Sequence, residues 1–170
     1  MRPTVLLCFL TLLLHFSCGN TTSNGGQPAE TSDQSTSAYI KMKINGIPWE
    51  ATSEIIGNLG MMEEGQFTLG GTHLADGEEQ NFNIVLHQVT GAGTYSTAVG
   101  QTYNAVQYAV SQTTNGDVRI YKSQQDGNFT VKITRAEGFQ TEGTFSGTLP
   151  GWLNVHEPAI ITEGVFKTNL

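Results

Sequence analysis

The chain is short of cysteine, of charge and above all of basic charge. Two cysteines occur in 170 residues: Cys8 falls inside a leading apolar run and Cys18 stands just past it. No second thiol follows Cys18, so a domain stapled by disulfides is excluded. Residues 38–170 are long enough to bury a core without staples. Charged residues make up 14% of the chain, against about a quarter in an average domain. Eight basic residues face 15 acidic ones, for a formal net charge of −7. Arg2 is the only charge before Cys18, so the chain from Cys18 onward carries seven basic residues and a net charge of −8. A nucleic-acid binder needs a basic face that displaces counterions, and this chain has no basic run. Also missing are an apolar run of the ~20 residues that a spanning helix needs, a convincing helical stretch and an internal repeat.

What is present begins with an address. Met1-Arg2 opens the chain with a positive charge, and Val5 to Leu14 form an apolar run of ten. That length suits the core of a signal peptide, here residues 1–17. Ser17-Cys18 then places a small residue directly before a cysteine, which resembles the bacterial lipobox. The third position before the cysteine holds His15 where that pattern has a leucine-like residue, and Leu14 stands one place earlier. The resemblance implies cleavage before Cys18, a diacylglyceryl group on its thiol and acylation of its new amine, several chains where one alone anchors weakly. The competing expectation is an ordinary secretory signal. Residues 19–37 contain no aromatic, Leu, Ile, Val or Met and read as a flexible polar linker reaching on the order of 25 Å. Gly19-Asn20-Thr21-Thr22 is neutral where surface-exported lipoproteins carry an acidic cluster, which favours an outer-membrane location facing the periplasm over the cell surface.

From Ala38 the pattern switches to period two. Ala38, Ile40, Met42 and Ile44 fall on one face, and Tyr39, Lys41 and Lys43 on the other, as in a half-buried strand. Asn45-Gly46 is a strong hairpin signal, and Ile47-Pro48-Trp49 starts the return strand. Pro48 donates nothing to a ladder and belongs on an edge or at a strand start. Alternation recurs at Phe67/Leu69, Phe82/Ile84/Leu86, Val106/Tyr108/Val110, Val118/Ile120, Phe129/Val131/Ile133, Phe145/Leu149 and 160–167. Asp76-Gly77, Gly91-Ala92-Gly93, Asn115-Gly116, Asp126-Gly127 and Pro150-Gly151 punctuate them. The expectation is one all-β domain over residues 38–170, an antiparallel β-sandwich or up-and-down β-barrel of about eight or nine short strands. Asn115-Gly116 and Asp126-Gly127 suggest successive hairpins in a meander.

Four short motifs occur in order: Asn45-Gly46-Ile47-Pro48-Trp49, Gly93-Thr94-Tyr95, Gly143-Thr144-Phe145-Ser146-Gly147 and Thr162-Glu163-Gly164-Val165-Phe166. By these, over most of residues 38–168, the chain resembles a family of small uncharacterised Bacteroidota lipoproteins. The resemblance implies a compact β domain and a lipoprotein address, and no chemistry.

No residue set spells out catalysis. His73, His87 and His156 lie in separate segments without metal-ligand spacing, and His156-Glu157 is a single adjacent pair. The acidic stretches Asp76-Gly77-Glu78-Glu79 and Glu63-Glu64 lack the ligand spacing of a calcium loop and read as solvated turns. Ser146 sits in Gly-Thr-Phe-Ser-Gly, without the helix a nucleophile elbow needs, and reads as an outward strand residue. No cofactor motif is readable. Trp49 is expected to plug the core, and Trp152, in Pro150-Gly151-Trp152-Leu153, to be the exposed contact. The expected function is a non-enzymatic, lipid-tethered binding or structural module of the cell envelope. Its partners would be the membrane and an envelope protein or glycan. Two alternatives compete: a lipocalin-like barrel carrying a small apolar ligand, and a polysaccharide hydrolase using paired carboxylates such as Glu50 and Glu54.

Overall fold

A computed structural model describes residues 37–61, 65–98, 104–112, 114, 116–123, 126–137 and 140–169. The chain divides into two units, Met1–Gln34 and Ser35–Leu170, and all described residues belong to the second. The signal peptide, Cys18 and nearly all of the polar linker therefore lie outside the described residues, as do Glu63, Glu64 and Asn115.

Eleven strands follow one another: β1 (Tyr39–Ile44), β2 (Ile47–Glu50), β3 (Ser53–Met61), β4 (Gln66–Ala75), β5 (Glu78–Leu86), β6 (Gly93–Ala98), β7 (Ala105–Gln112), β8 (Val118–Lys122), β9 (Asp126–Glu137), β10 (Gln140–Leu149) and β11 (Ala159–Asn169). The one helical element among the described residues is a 3₁₀ turn, Trp152–Asn154. All pairings are antiparallel, in two sheets ordered β2-β1-β11-β10-β9-β6 and β3-β4-β5-β7-β8. The sheets do not close into a barrel, so the architecture is a sandwich.

Alternation places the core as expected along most strands. Ile40, Met42 and Ile44 of β1, Phe67 and Leu69 of β4, and Phe82, Ile84 and Leu86 of β5 are buried. So are Val106, Tyr108 and Val110 of β7 and Phe129, Val131 and Ile133 of β9. Rings fill the space between the sheets. Phe82 stacks on Phe145 with centroids 5.1 Å apart, Phe145 lies 6.3 Å from Phe166, and Phe166 lies 5.6 Å from Phe67. The two Gly-x-Phe motifs are partners: Gly143 sits opposite Phe166 on the neighbouring strand, and Phe145 opposite Gly164. A Cβ on Gly143 would come within 2.7 Å of the Phe166 ring, so the glycines are the floor on which these rings lie.

Both hairpin devices near the start of the domain act as their sequence implies. Asn45 and Gly46 take φ of 51° and 81°, the double positive of a two-residue hairpin turn. β2 is an edge strand, where the missing N–H of Pro48 costs no ladder bond. A bulge at Glu163 (φ 53°) shifts the register of β11 against both β1 and β10. The extra residue keeps Ile161 and Phe166 both inward, and its own side chain reaches Lys43 at 2.7 Å.

Three expectations need correction. The strands number eleven and not eight or nine, because β3 and β6, both edges, lack a clean alternation. The meander holds for β7 and β8 but not beyond, since β8 ends one sheet and β9, which begins at Asp126, lies in the other. In β8 the apolar pattern misleads: Val118 is exposed and Tyr121 is buried. The register sets Tyr121 opposite Tyr108, and strand geometry then turns Val118 and Ile120 outward.

Candidate functional site

Two tight turns and one edge strand frame a cleft of about 420 Å³ at one end of the sandwich. Asn45, Ile47 and Pro48 line it from the β1–β2 hairpin, and Ala75, Asp76 and Glu78 from the β4–β5 turn. Asp76 and Gly77 repeat the double-positive geometry, at φ of 52° and 78°. Tyr108 and Val110 of β7 and Arg119 and Tyr121 of β8 complete the wall.

The floor is aromatic and the wall polar. Trp49, 4% exposed, fills the core as expected, tilted against His73 at 5.8 Å and edge-on to Phe82 at 6.2 Å. Its Nε1 is buried without a hydrogen-bond partner. His73 Nδ1 lies 2.7 Å from the Glu50 carbonyl oxygen, which only accepts, so Nδ1 carries the proton there. Along the wall a chain of polar groups is joined end to end. The Tyr108 hydroxyl donates to Gln80 Oε1 at 3.0 Å, Gln80 Nε2 donates to Glu78 at 3.4 Å, and Arg119 Nη2 pairs with Glu78 at 2.9 Å. Burial pushes the Tyr108 phenol up to about 12; Tyr121 and Glu78 add to the rise and Arg119 opposes it. The wall therefore presents a neutral phenol and a neutralised carboxylate, with the Tyr108 and Tyr121 rings stacked at 5.5 Å.

A groove of about 630 Å³ adjoins the cleft through shared Asn45, Arg119 and Tyr121 and runs under Pro150, Gly151, Val155 and His156. Above it rises the β10–β11 connection, the most apolar exposed stretch in the described residues. Trp152, Leu153 and Val155 are 51%, 78% and 68% exposed, and Ile47 of the cleft is 70% exposed. Asn45 ties the two sides together: its N–H donates to the Ile160 carbonyl at 2.9 Å and its Oδ1 accepts from the Ile160 N–H at 2.8 Å.

The other sequence candidates stay apart. Trp152 is exposed at the tip, with Lys122 Nζ 4.4 Å from its ring centroid, and does not line the cleft. His73 lines the cleft, His156 the adjoining groove, and His87 neither. Among the described residues no three His, Cys, Asp or Glu side chains gather as metal ligands would. Glu50 pairs with Lys41 on the edge of one sheet at 3.0 Å, whereas Glu54 accepts from Thr72 at 3.4 Å in the other sheet. Neither lines the cleft. Glu79 accepts from Asn81 at 2.9 Å, and Ser146 is exposed on β10. Sequence reasoning missed Arg119, Gln80 and Ile47. The usable signal was Tyr108 facing Tyr121 between β7 and β8, which puts Arg119 on the inner face as well.

No protein-family model, no curated protein and no solved structure matches this chain.

Proposed function

We propose that the chain is a lipid-tethered module of the bacterial cell envelope, held at the outer membrane through Cys18 with its domain facing the periplasm. It acts by contact and not by catalysis, and the contact surface is the cleft end of the sandwich. The observation that carries this reading is the exposed apolar run Trp152, Leu153 and Val155 of the β10–β11 connection, whose Val155 lines the groove adjoining the cleft, together with exposed Ile47 on the cleft itself. Ile56, Leu74, Val118 and Ile160 are exposed on separate strands, whereas three large apolar groups within four residues mark a place where something docks. Four polar side chains of the cleft wall are spent on one another, Glu78 on Arg119 and Tyr108 on Gln80, as suits recognition more than proton transfer. The lipocalin-like alternative needs a closed barrel around a cavity, whereas these two sheets stay open-edged around a core filled with rings.

Two measurements test the reading. In a detergent phase split the wild type enters the detergent phase with the mass of an acylated cysteine, and Cys18→Ala stays aqueous. A wild type that stays aqueous refutes the tether. A photo-crosslinking residue at position 47 or 155 gives adducts in intact envelopes, and one at exposed Thr130 gives none; equal yields at all three positions refute the contact surface.

A further inference from the structure

Within the contact surface, the apolar side chains of the β10–β11 tip stand outside the core and outside the cleft lining. We propose that the Trp152–Val155 tip is a membrane-contact element, whose side chains enter the headgroup region of a lipid bilayer. The proposal rests on the tether reading, which makes a bilayer the surface nearest the domain at all times.

The tip is built and not loose. Lys122 N–H donates to the Pro150 carbonyl at 3.1 Å, Gly151 bridges to Tyr121, and Val155 N–H reaches the Trp152 carbonyl at 3.4 Å. Leu153 is held at φ 58° and ψ 19°, a conformation that a leucine takes only where its surroundings impose it. The outcome is a leucine 78% exposed at the crest, flanked by Trp152 and Val155. Lys122 lies over the Trp152 ring at 4.4 Å. An indole beside an ammonium matches a headgroup layer, where the ring meets the acyl boundary and the cation meets phosphate.

Size separates a bilayer from a protein partner. The three tip side chains expose on the order of 400 Å², about half of the ~800 Å² per partner in a stable protein interface. The geometry allows the approach. The tip lies toward the Ile44 end of β1, and the chain enters β1 at Tyr39, a strand of six residues or ~20 Å away. A flexible chain of the composition of residues 19–37 would reach about 25 Å, enough to cover that distance. With a net charge of −8 from Cys18 onward the tethered chain gains nothing from anionic lipid, so apolar burial drives the contact.

The two tryptophans make the test direct, because Trp49 is buried and supplies a constant background. The full lipidated chain is reconstituted in phosphatidylcholine vesicles with and without brominated acyl chains, and flotation and emission are read together. The expected result is a blue shift and bromine quenching of the Trp152 emission, both lost in Leu153→Asp although that variant still floats. A wild type that floats with unshifted, unquenched Trp152 emission overturns the tip and leaves the tether standing. A wild type that does not float overturns the tether; added vesicles in lipid excess then decide the tip, quenching supporting it and no quenching overturning it. A blue shift that appears on raising the protein concentration without vesicles overturns the proposal by assigning the tip to a second copy of the chain.

Discussion

Trp49 and Trp152 stand in the same kind of sequence setting, each next to a proline or glycine turn, yet one is 4% exposed and the other 51%. Trp49 lies on β2, where Met42 of β1 is its cross-strand partner and alternation sends its ring inward. Trp152 lies in a three-residue 3₁₀ turn, where no ladder sets a side and Lys122 lies over the ring. The same residue type thus serves as core in one region and stands half exposed to solvent in the other. What decides is whether the backbone around it belongs to a sheet.

The contrast is sharpest in stability. Phe145→Ala removes a ring stacked on Phe82 and lying over Gly164, and is expected to cost about 3–5 kcal/mol in denaturant unfolding. A loss below ~1 kcal/mol would mean that the ring seam is not what joins the sheets. An intermediate effect comes from the cleft wall. The Tyr108 phenol, held near 12 in the fold against 10 when exposed, contributes stability that is complete below pH 10 and lost as pH rises from 10 to 12. That loss is worth about 2 kcal/mol. Tyr108→Phe is expected to flatten this alkaline slope in a pH series of urea melts, and an unchanged slope would assign it to other groups. The smallest effect falls at the tip. Leu153→Ser is expected to move the unfolding midpoint by no more than about 0.5 kcal/mol, because its side chain touches little. A large loss there would make the tip part of the core and erase the contrast.

Much of the fold was legible because strands with one buried face write their period into the chain. β1, β4, β5, β7 and β9 all bury the residues that alternation selects. The Asn45-Gly46 turn, the edge position of Pro48 and the inward Trp49 follow from backbone chemistry that is local. β3 and β6 were hidden because edge strands need less apolar patterning, and Gly93–Ala98 is made of small and polar residues. β8 was misread because Val118 and Ile120 outweigh Tyr121 in apparent hydrophobicity, while the pairing with β7 chose the other face. Of the contact surface, Trp152 was visible as a bulky residue in a Pro-Gly loop. Ile47, Arg119 and Gln80 became part of a site only when two turns from different sheets met around them.

The sequence by itself determined the class, an all-β domain without disulfides, because period, turn residues and cysteine count are properties of the chain alone. Only the tertiary structure decided that the sheets stay open as a sandwich, that β8 and β9 part company and that a cleft opens beside an apolar tip. These depend on pairings between residues far apart in the chain, such as β6 with β9 and β1 with β11, which no local pattern encodes.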